Sequence, residues 1–166
     1  MNSIFLVRTP KIFTNFPLVC KFSSVINMSS SNCIFCDIVS GTSPATIVYQ
    51  DSELVAFNDI KPAAKHHFLI VPKQHFDSIN VLNASNIPLV EKMVDTAKKV
   101  LEELGGDLND ARLGFHCPPF NTIKHLHLHC LSPVGEMSFL HKMMFRPNTW
   151  WFSSAEQTIE NLKSKI

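Results

Sequence analysis

The chain has no apolar run approaching the ~20 residues needed to cross a bilayer, so no membrane-spanning segment is expected. It also lacks a basic platform. The formal net charge is +1, but residues 1–36 hold Arg8, Lys11 and Lys21 and no acid. Beyond residue 36, the remaining 12 basic residues face 14 acids, a balance of −2. Such a surface offers little to a nucleic acid backbone and favours a small ligand over a long polyanion. A disulfide framework is missing as well. The five cysteines, at 20, 33, 36, 117 and 130, are an odd set with a single C-x-x-C pair. In a chain this size that pattern points to a reducing compartment with a metal or redox site. What is present is an ordinary globular composition, 45% hydrophobic and 17% charged over 166 residues, enough for one compact domain with tails.

The stretch "MNSIFLVRTPKIFTNFPLVCKFSSVINMSSS" (1–31) is acid-free and rich in Ser and Phe. It resembles a mitochondrial transit peptide, whereas Arg8 and Lys11 interrupt it too much for a secretory signal. The alternative is a disordered extension, with Met28 as a second start. Residues 1–31 are therefore set apart as an extension, and residues 32–166 form the expected domain.

Within that domain, "CIFCDIVSG" (33–41) reads as one or two helical turns ended by Gly41. "TIVYQDSELVAFNDI" (46–60) reads as two strands joined by a tight turn at Asp51-Ser52, and "HHFLIVPKQH" (66–75) as another strand. The clearest helix is 85–106: Ser85 and Asn86 supply a cap, and Leu89, Met93, Ala97, Val100 and Leu104 recur at helical spacing up to Gly105. "ARLGFHC" (111–117) and "IKHLHLHCL" (123–131) read as two further strands, bridged by "PPFNT". A short helix is expected in the tail after "NTWWFSS". Antiparallel strands covered by one long helix define an α+β class.

The run "HLHLHCL" places His125, His127 and His129 at strict alternation, hence on one face, with Leu126, Leu128 and Cys130 on the other. A neutral imidazole, with a pKa near ~6.5, can attack an electrophile without a separate base. Attack on phosphorus gives a phosphohistidine and splits one displacement into two easier steps. Three such rings can divide into a nucleophile, a phosphate contact and a support, and Thr122 offers a hydroxyl to the same phosphate. The competing chemistry is a catalytic zinc, but same-face positions lie about 6–7 Å apart along a strand, too far for easy chelation by all three. Asp59 in "FNDI" suits either a turn or the two hydroxyls of a ribose, with Phe57 and Ile60 sandwiching a base. Cys33 and Cys36 are half of a tetrahedral zinc site that His75 and His125 would complete; a redox pair or two small buried residues are the alternatives. Trp150 and Trp151 suit core, dimer surface or substrate lid alike.

Taken together, "CIFCDI", "FNDIKPAAKHHFLIVPKQH", the long helix, "RLGFHCPPFNTIKHLHLH" and the "WWF" tail occur in the order of the Hint branch of the histidine-triad superfamily. The resemblance covers about residues 32–165. It implies a histidine-triad-like α+β fold, an antiparallel sheet of about five strands with one long helix and a short C-terminal helix, paired as a homodimer. It implies hydrolysis of adenosine 5′-monophosphoramidates and acyl-AMP through a nucleotidyl-histidine, with release of AMP and no cofactor for catalysis. By motif position, His127 is the nucleophile, His129 contacts the phosphate and the leaving group, and His125 supports the site. His67 matches a fourth, buried histidine and Asp59 the ribose-binding carboxylate, with Phe57 and Ile60 against the base. Thr122 stands where relatives carry a phosphate-binding Ser, and His116 where the commonest branch has Asn, as a polar contact. Relatives that bind a structural zinc use positions matched by Cys33, Cys36, His75 and His125. The expected location is cytoplasmic and nuclear, with mitochondrial delivery through residues 1–30 as the alternative. Two other readings share part of this pattern. An aprataxin-like repair enzyme for adenylated DNA ends would need a C-terminal zinc finger, yet after Cys130 there is no cysteine and only His141. A pure nucleotide-binding scaffold in signalling or transcription would not need the intact nucleophile.

Overall fold

The structure, a computed structural model, describes residues 33–165; the extension 1–31 and its targeting or disordered reading lie outside the described residues. Six strands, β1 (Ile47–Gln50), β2 (Leu54–Asn58), β3 (His66–Pro72), β4 (Arg112–His116), β5 (Leu128–Ser132) and β6 (Phe152–Ser154), form one sheet in the order β1-β2-β3-β5-β4-β6. Every pairing is antiparallel. The α+β expectation holds, with six strands where about five were expected. The extra strand, β6, lies in the "WWFSS" segment and pairs with β4, setting Phe152 opposite His116. A three-residue strand whose partner lies some 40 positions away carries no local signal.

Strands β2 and β3 are buried on both faces, which is why they read as apolar runs rather than alternating ones. Leu54, Ala56, Phe68 and Ile70 enter the main core, beneath α2 (Ile87–Glu103) and α4 (Ala155–Lys163). Val55, Phe57, Leu69 and Val71 face the other way, against Cys33 and Phe35 at α1 (Ile34–Ser40). Gly41, at φ 78°, ends α1 in the left-handed conformation that costs glycine little.

The long helix buries Met93, Ala97 and Val100 as expected, but its apolar face is completed by Val90, Val94 and Leu101. Leu104, expected on that face, is the C-cap and 42% exposed. Ser85 and Asn86 do not cap α2 directly. They belong to a 3-10 turn in which Asn83 Oδ1 accepts from Ser85 N, while Asn86 Oδ1 accepts from Asn83 N. A helix absent from the sequence reading, α3 (Phe139–Met144), is capped by Ser138 and packs beside the "WW" segment, where Trp151 Nε1 donates to Met143 O at 3.2 Å. No helix among the described residues is long and apolar enough to cross a membrane.

The strand expected at 123–131 starts only at Leu128. Pairing with β3 stops at Ile70 opposite Leu128, and further along β3 Pro72 has no N–H to offer. Leu126 N instead donates to Phe76 O at 2.6 Å, and the Pro72 carbonyl accepts from His125 Nε2 at 2.9 Å. Alternation survives this irregular entry. Leu126, Leu128 and Cys130 fill the main core, and the three histidines turn to the opposite face.

Candidate active site

His129 sits mid-sheet, opposite Leu69 on β3 and Gly114 on β4. The glycine is required here, because a methyl group at 114 would lie 2.5 Å from both the Phe152 ring and the Ser153 carbonyl. Its absence lets Phe152 and Phe145 close over the histidines. The Phe145 ring meets His67 at 5.4 Å, His116 at 5.1 Å and His129 at 5.2 Å between centroids. On the other side Phe35 stands edge-on to His127 at 5.2 Å and touches Phe57 at 5.3 Å.

Backbone groups set the tautomers, because an amide N–H only donates and a carbonyl only accepts. Ala63 N donates to His67 Nδ1 at 3.1 Å, so His67 carries its proton on Nε2. That Nε2–H donates to His129 Nδ1 at 3.0 Å, which places the His129 proton on Nε2. His129 Nε2 is the buried side-chain polar atom left without a partner among the described residues. An orphan buried donor calls for an explanation, and a substrate oxygen is one. His127 Nδ1–H donates to the His125 carbonyl at 2.6 Å, which leaves Nε2 with its lone pair. The His127 and His129 rings are 5.0 Å apart, so a lone pair and an N–H donor share one face.

Burial holds all of these rings below the ordinary imidazole range. It lowers His67, against the pull of Asp59, 3.6 Å away; it lowers His116 and His127; and it lowers His129 furthest, where neighbouring imidazoles add to the effect. Neutral rings at cellular pH keep the His127 Nε2 lone pair free and preserve the relay of tautomers.

A second cluster joins the C-x-x-C pair to the triad. The ligand atoms of Cys33, Cys36, His75 and His125 all lie within 4.8 Å of one another and could hold a metal ion. Cys33 Sγ is 3.4 Å and Cys36 Sγ 3.5 Å from His125 Nδ1, and Cys36 Sγ is 3.2 Å from His75 Nδ1. Each imidazole turns its other nitrogen to an oxygen, His125 to Pro72 O and His75 to Asp77 at 2.9 Å. Two thiols and two imidazoles whose Nδ1 lone pairs converge fit a tetrahedral site with oriented ligands. Asp59, His67 and His129 also converge, but there a proton lies between the two ring nitrogens, so the group is a hydrogen-bond relay.

The remaining expected residues surround these two clusters. Asp59 follows directly after β2, beside His67, and its Oδ1 accepts from Lys61 N at 2.8 Å. Phe57 is buried against Phe35, whereas the neighbouring Ile60 is 91% exposed. Thr122 is exposed in the approach to β5. His116 lines a narrow cleft together with His125, His127, Ser78 and Asn121. Sequence reasoning missed Phe35, Phe145 and Asp77. Asp77, two residues after His75, was findable from its spacing; the two phenylalanines carry no local mark. Trp151 is partly buried and its carbonyl accepts from Cys117 N and His116 Nδ1, while Trp150 is 70% exposed.

Known proteins resemble this chain in sequence and fold. The family described as "Scavenger mRNA decapping enzyme C-term binding" matches residues 32–145. Adenosine 5'-monophosphoramidase HINT3 of Mus musculus is 44% identical over 136 residues, 80% of this chain and 82% of that protein. The protein of the same name from Xenopus tropicalis is 42% identical over 135 residues, 80% of this chain and 88% of its own. A HIT family hydrolase from Clostridium thermocellum superposes with a TM-score of 0.58 at 39% identity, covering 61% of this chain and 90% of that one. With the triad, the relay behind it and matches over most of the chain, this protein belongs to the histidine-triad family.

Proposed function

We propose that the chain hydrolyses adenosine 5′-monophosphoramidates and acyl-AMP through a nucleotidyl-His127 intermediate and releases AMP. One observation carries the reading: His127 Nε2 keeps its lone pair beside the buried, unpartnered Nε2–H of His129. The names of the mouse and frog relatives, adenosine 5'-monophosphoramidases, support it.

Ribose would dock on Asp59 and the base against Ile60 and the Phe57 edge of the site. His127 Nε2 attacks phosphorus, and the leaving amine or carboxylate departs. His129 Nε2–H and the Thr122 hydroxyl hold the phosphoryl oxygens. Because His67 fixes the His129 donor before substrate arrives, little reorganisation is needed as negative charge develops on those oxygens. Water then cleaves the nucleotidyl-histidine. His116 is a polar contact at the same cleft, and His125 orients His127 through its carbonyl.

Cys33, Cys36, His75 and His125 suit a structural zinc, which when bound would tie α1 to the approach of β5; catalysis itself draws on no cofactor. The chain works as a homodimer, and exposed Phe139, Leu140 and Trp150 supply apolar surface for an interface. Light scattering measures that state directly. Residues 1–31 form an extension outside the domain at 32–166, and the protein acts in the cytoplasm and nucleus, with mitochondrial delivery through residues 1–30 as the alternative. Fluorescent fusions with and without residues 1–31 separate these locations.

The decisive test replaces the nucleophile. His127→Asn abolishes turnover of AMP–lysine phosphoramidate and leaves AMP affinity within about tenfold, since ground-state grip resides elsewhere. Wild-type turnover by that variant refutes the mechanism.

A further inference from the structure

Asp77 completes a second constellation at the C-x-x-C pair. His125 gives Nε2–H to the Pro72 carbonyl and His75 gives Nε2–H to Asp77, so both Nδ1 atoms carry lone pairs. Cys33 S–H then donates to His125 Nδ1 at 3.4 Å, and Cys36 S–H to His75 Nδ1 at 3.2 Å. Thiol, imidazole and carboxylate follow one another at Cys36, His75 and Asp77, the order that activates a sulfur nucleophile. The Cys33 sulfur lies within 4.8 Å of the Cys36 sulfur, and Cys36 and His75 are both partly exposed. Burial instead pushes the Cys117 thiol up, and Cys130 up to about 12, which leaves those two inert.

The same cluster touches the nucleophile by two routes. The His125 carbonyl holds His127 Nδ1–H at 2.6 Å. Phe35, which lies between the two cysteines in the chain, stands edge-on to His127 at 5.2 Å and to His125 at 6.1 Å. We propose that Cys33 and Cys36 form a reversible redox site: a hydroperoxide converts them to a disulfide, and the change disturbs the contacts that aim His127. As control of turnover this rests on the phosphoramidase reading, whereas the thiol chemistry stands on the cluster alone.

The steps balance. Cys36 passes its proton to His75 Nδ1, and the sulfur attacks the terminal oxygen of the hydroperoxide. The O–O bond breaks, Cys36 becomes a sulfenic acid, and the alkoxide leaves as an alcohol with the proton from His75. Cys33 sulfur then attacks Cys36 sulfur. The S–O bond breaks, and hydroxide leaves as water with the Cys33 proton. Two thiols lose two electrons, and the hydroperoxide gains them. In the product neither sulfur carries hydrogen, so His125 Nδ1, on a ring 1% exposed, loses its donor. A buried acceptor without a partner favours reorientation of residue 125, and Phe35 moves with the sulfurs that flank it. A dithiol reverses the oxidation.

The test adds hydrogen peroxide to the full chain and locates the oxidised cysteines by peptide mass. The expected product is a Cys33–Cys36 disulfide, with Cys117 and Cys130 still open to alkylation after unfolding. The NMR signal of His127 Nδ1–H should shift and AMP–lysine turnover fall by about 10–10²-fold, and dithiothreitol should restore both. Asp77→Asn, at an exposed position, keeps a side-chain oxygen for His75 but removes the charge, and should slow disulfide formation by about tenfold. Absence of that disulfide, oxidation spread evenly over the four described cysteines, an unchanged rate in Asp77→Asn, or a disulfide that leaves the His127 signal in place overturns the proposal. If the reduced protein does not cleave the phosphoramidate, the phosphoramidase reading fails by itself, and the disulfide and the His127 signal still decide this inference.

Discussion

Replacing His67 with leucine keeps the volume behind His129 and removes the one group that fixes its tautomer. The chain of donors runs from Ala63 N–H to His67 to His129 Nδ1, with contacts of 3.1 and 3.0 Å. Without His67, a buried Nδ1 loses its donor, and an unsatisfied group of that kind costs about 1–3 kcal/mol of stability. The His129 proton is then free to move to Nδ1, where it turns a lone pair instead of a donor toward the phosphoryl oxygens. Loss of one such donor typically lowers kcat by about 10²–10³-fold. His67→Leu should therefore fall into that range in kcat with KM little changed, and His67→Gln, whose amide N–H reaches the same nitrogen, should recover most of the loss. Nitrogen NMR of labelled imidazoles reads the tautomer directly. If folded His67→Leu retains wild-type kcat, or His129 keeps its proton on Nε2, the relay does not act as described.

Elemental analysis should find about one zinc per chain, lost in Cys33→Ser and in His75→Ala with a lower thermal midpoint; a metal-free wild type, stable in chelator, refutes the site. Acid should destabilise the fold as soon as pH falls below the ordinary imidazole range. His67 and His129 have folded pKa values below the ordinary ~6.5, so above that pH both states are neutral and nothing changes. Below it the unfolded chain binds protons that the folded chain refuses, and stability falls by up to about 1.4 kcal/mol per pH unit for each ring. Asp51 does not confound this window: burial raises its pKa, but the N–H groups of Glu53 and Leu54, with Lys92 and Tyr49, bring it to about 2. Its contribution is lost only as pH falls from about 4 toward 2. A thermal midpoint flat from about pH 7.5 to 5.5 contradicts the burial argument. Gly114→Val forces atoms into the Phe152 ring and the Ser153 carbonyl, and overpacking of this kind costs about 1–3 kcal/mol or more; unchanged denaturant midpoints would show that the contact yields freely.

Local pattern alone determined a good deal. The period of two at 125–130 put three imidazoles on one face, because side chains alternate wherever the backbone stays extended, even outside a regular ladder. Helical spacing found α2, and the C-x-x-C pair with His75 and His125 named a cluster that the fold does assemble. Tertiary structure decided what distance in sequence hides. It placed β6 beside β4, closed Phe145 over three histidines, and left Gly114 as the gap that admits Phe152. It also decided the tautomers. A single backbone N–H at Ala63, with carbonyls at His125, Pro72 and Trp151, assigns a proton to one nitrogen of each ring it meets. The sequence states that these residues are histidines. Which nitrogen keeps a lone pair and which carries a proton depends on hydrogen-bond partners up to 62 positions away, and only the folded chain supplies them.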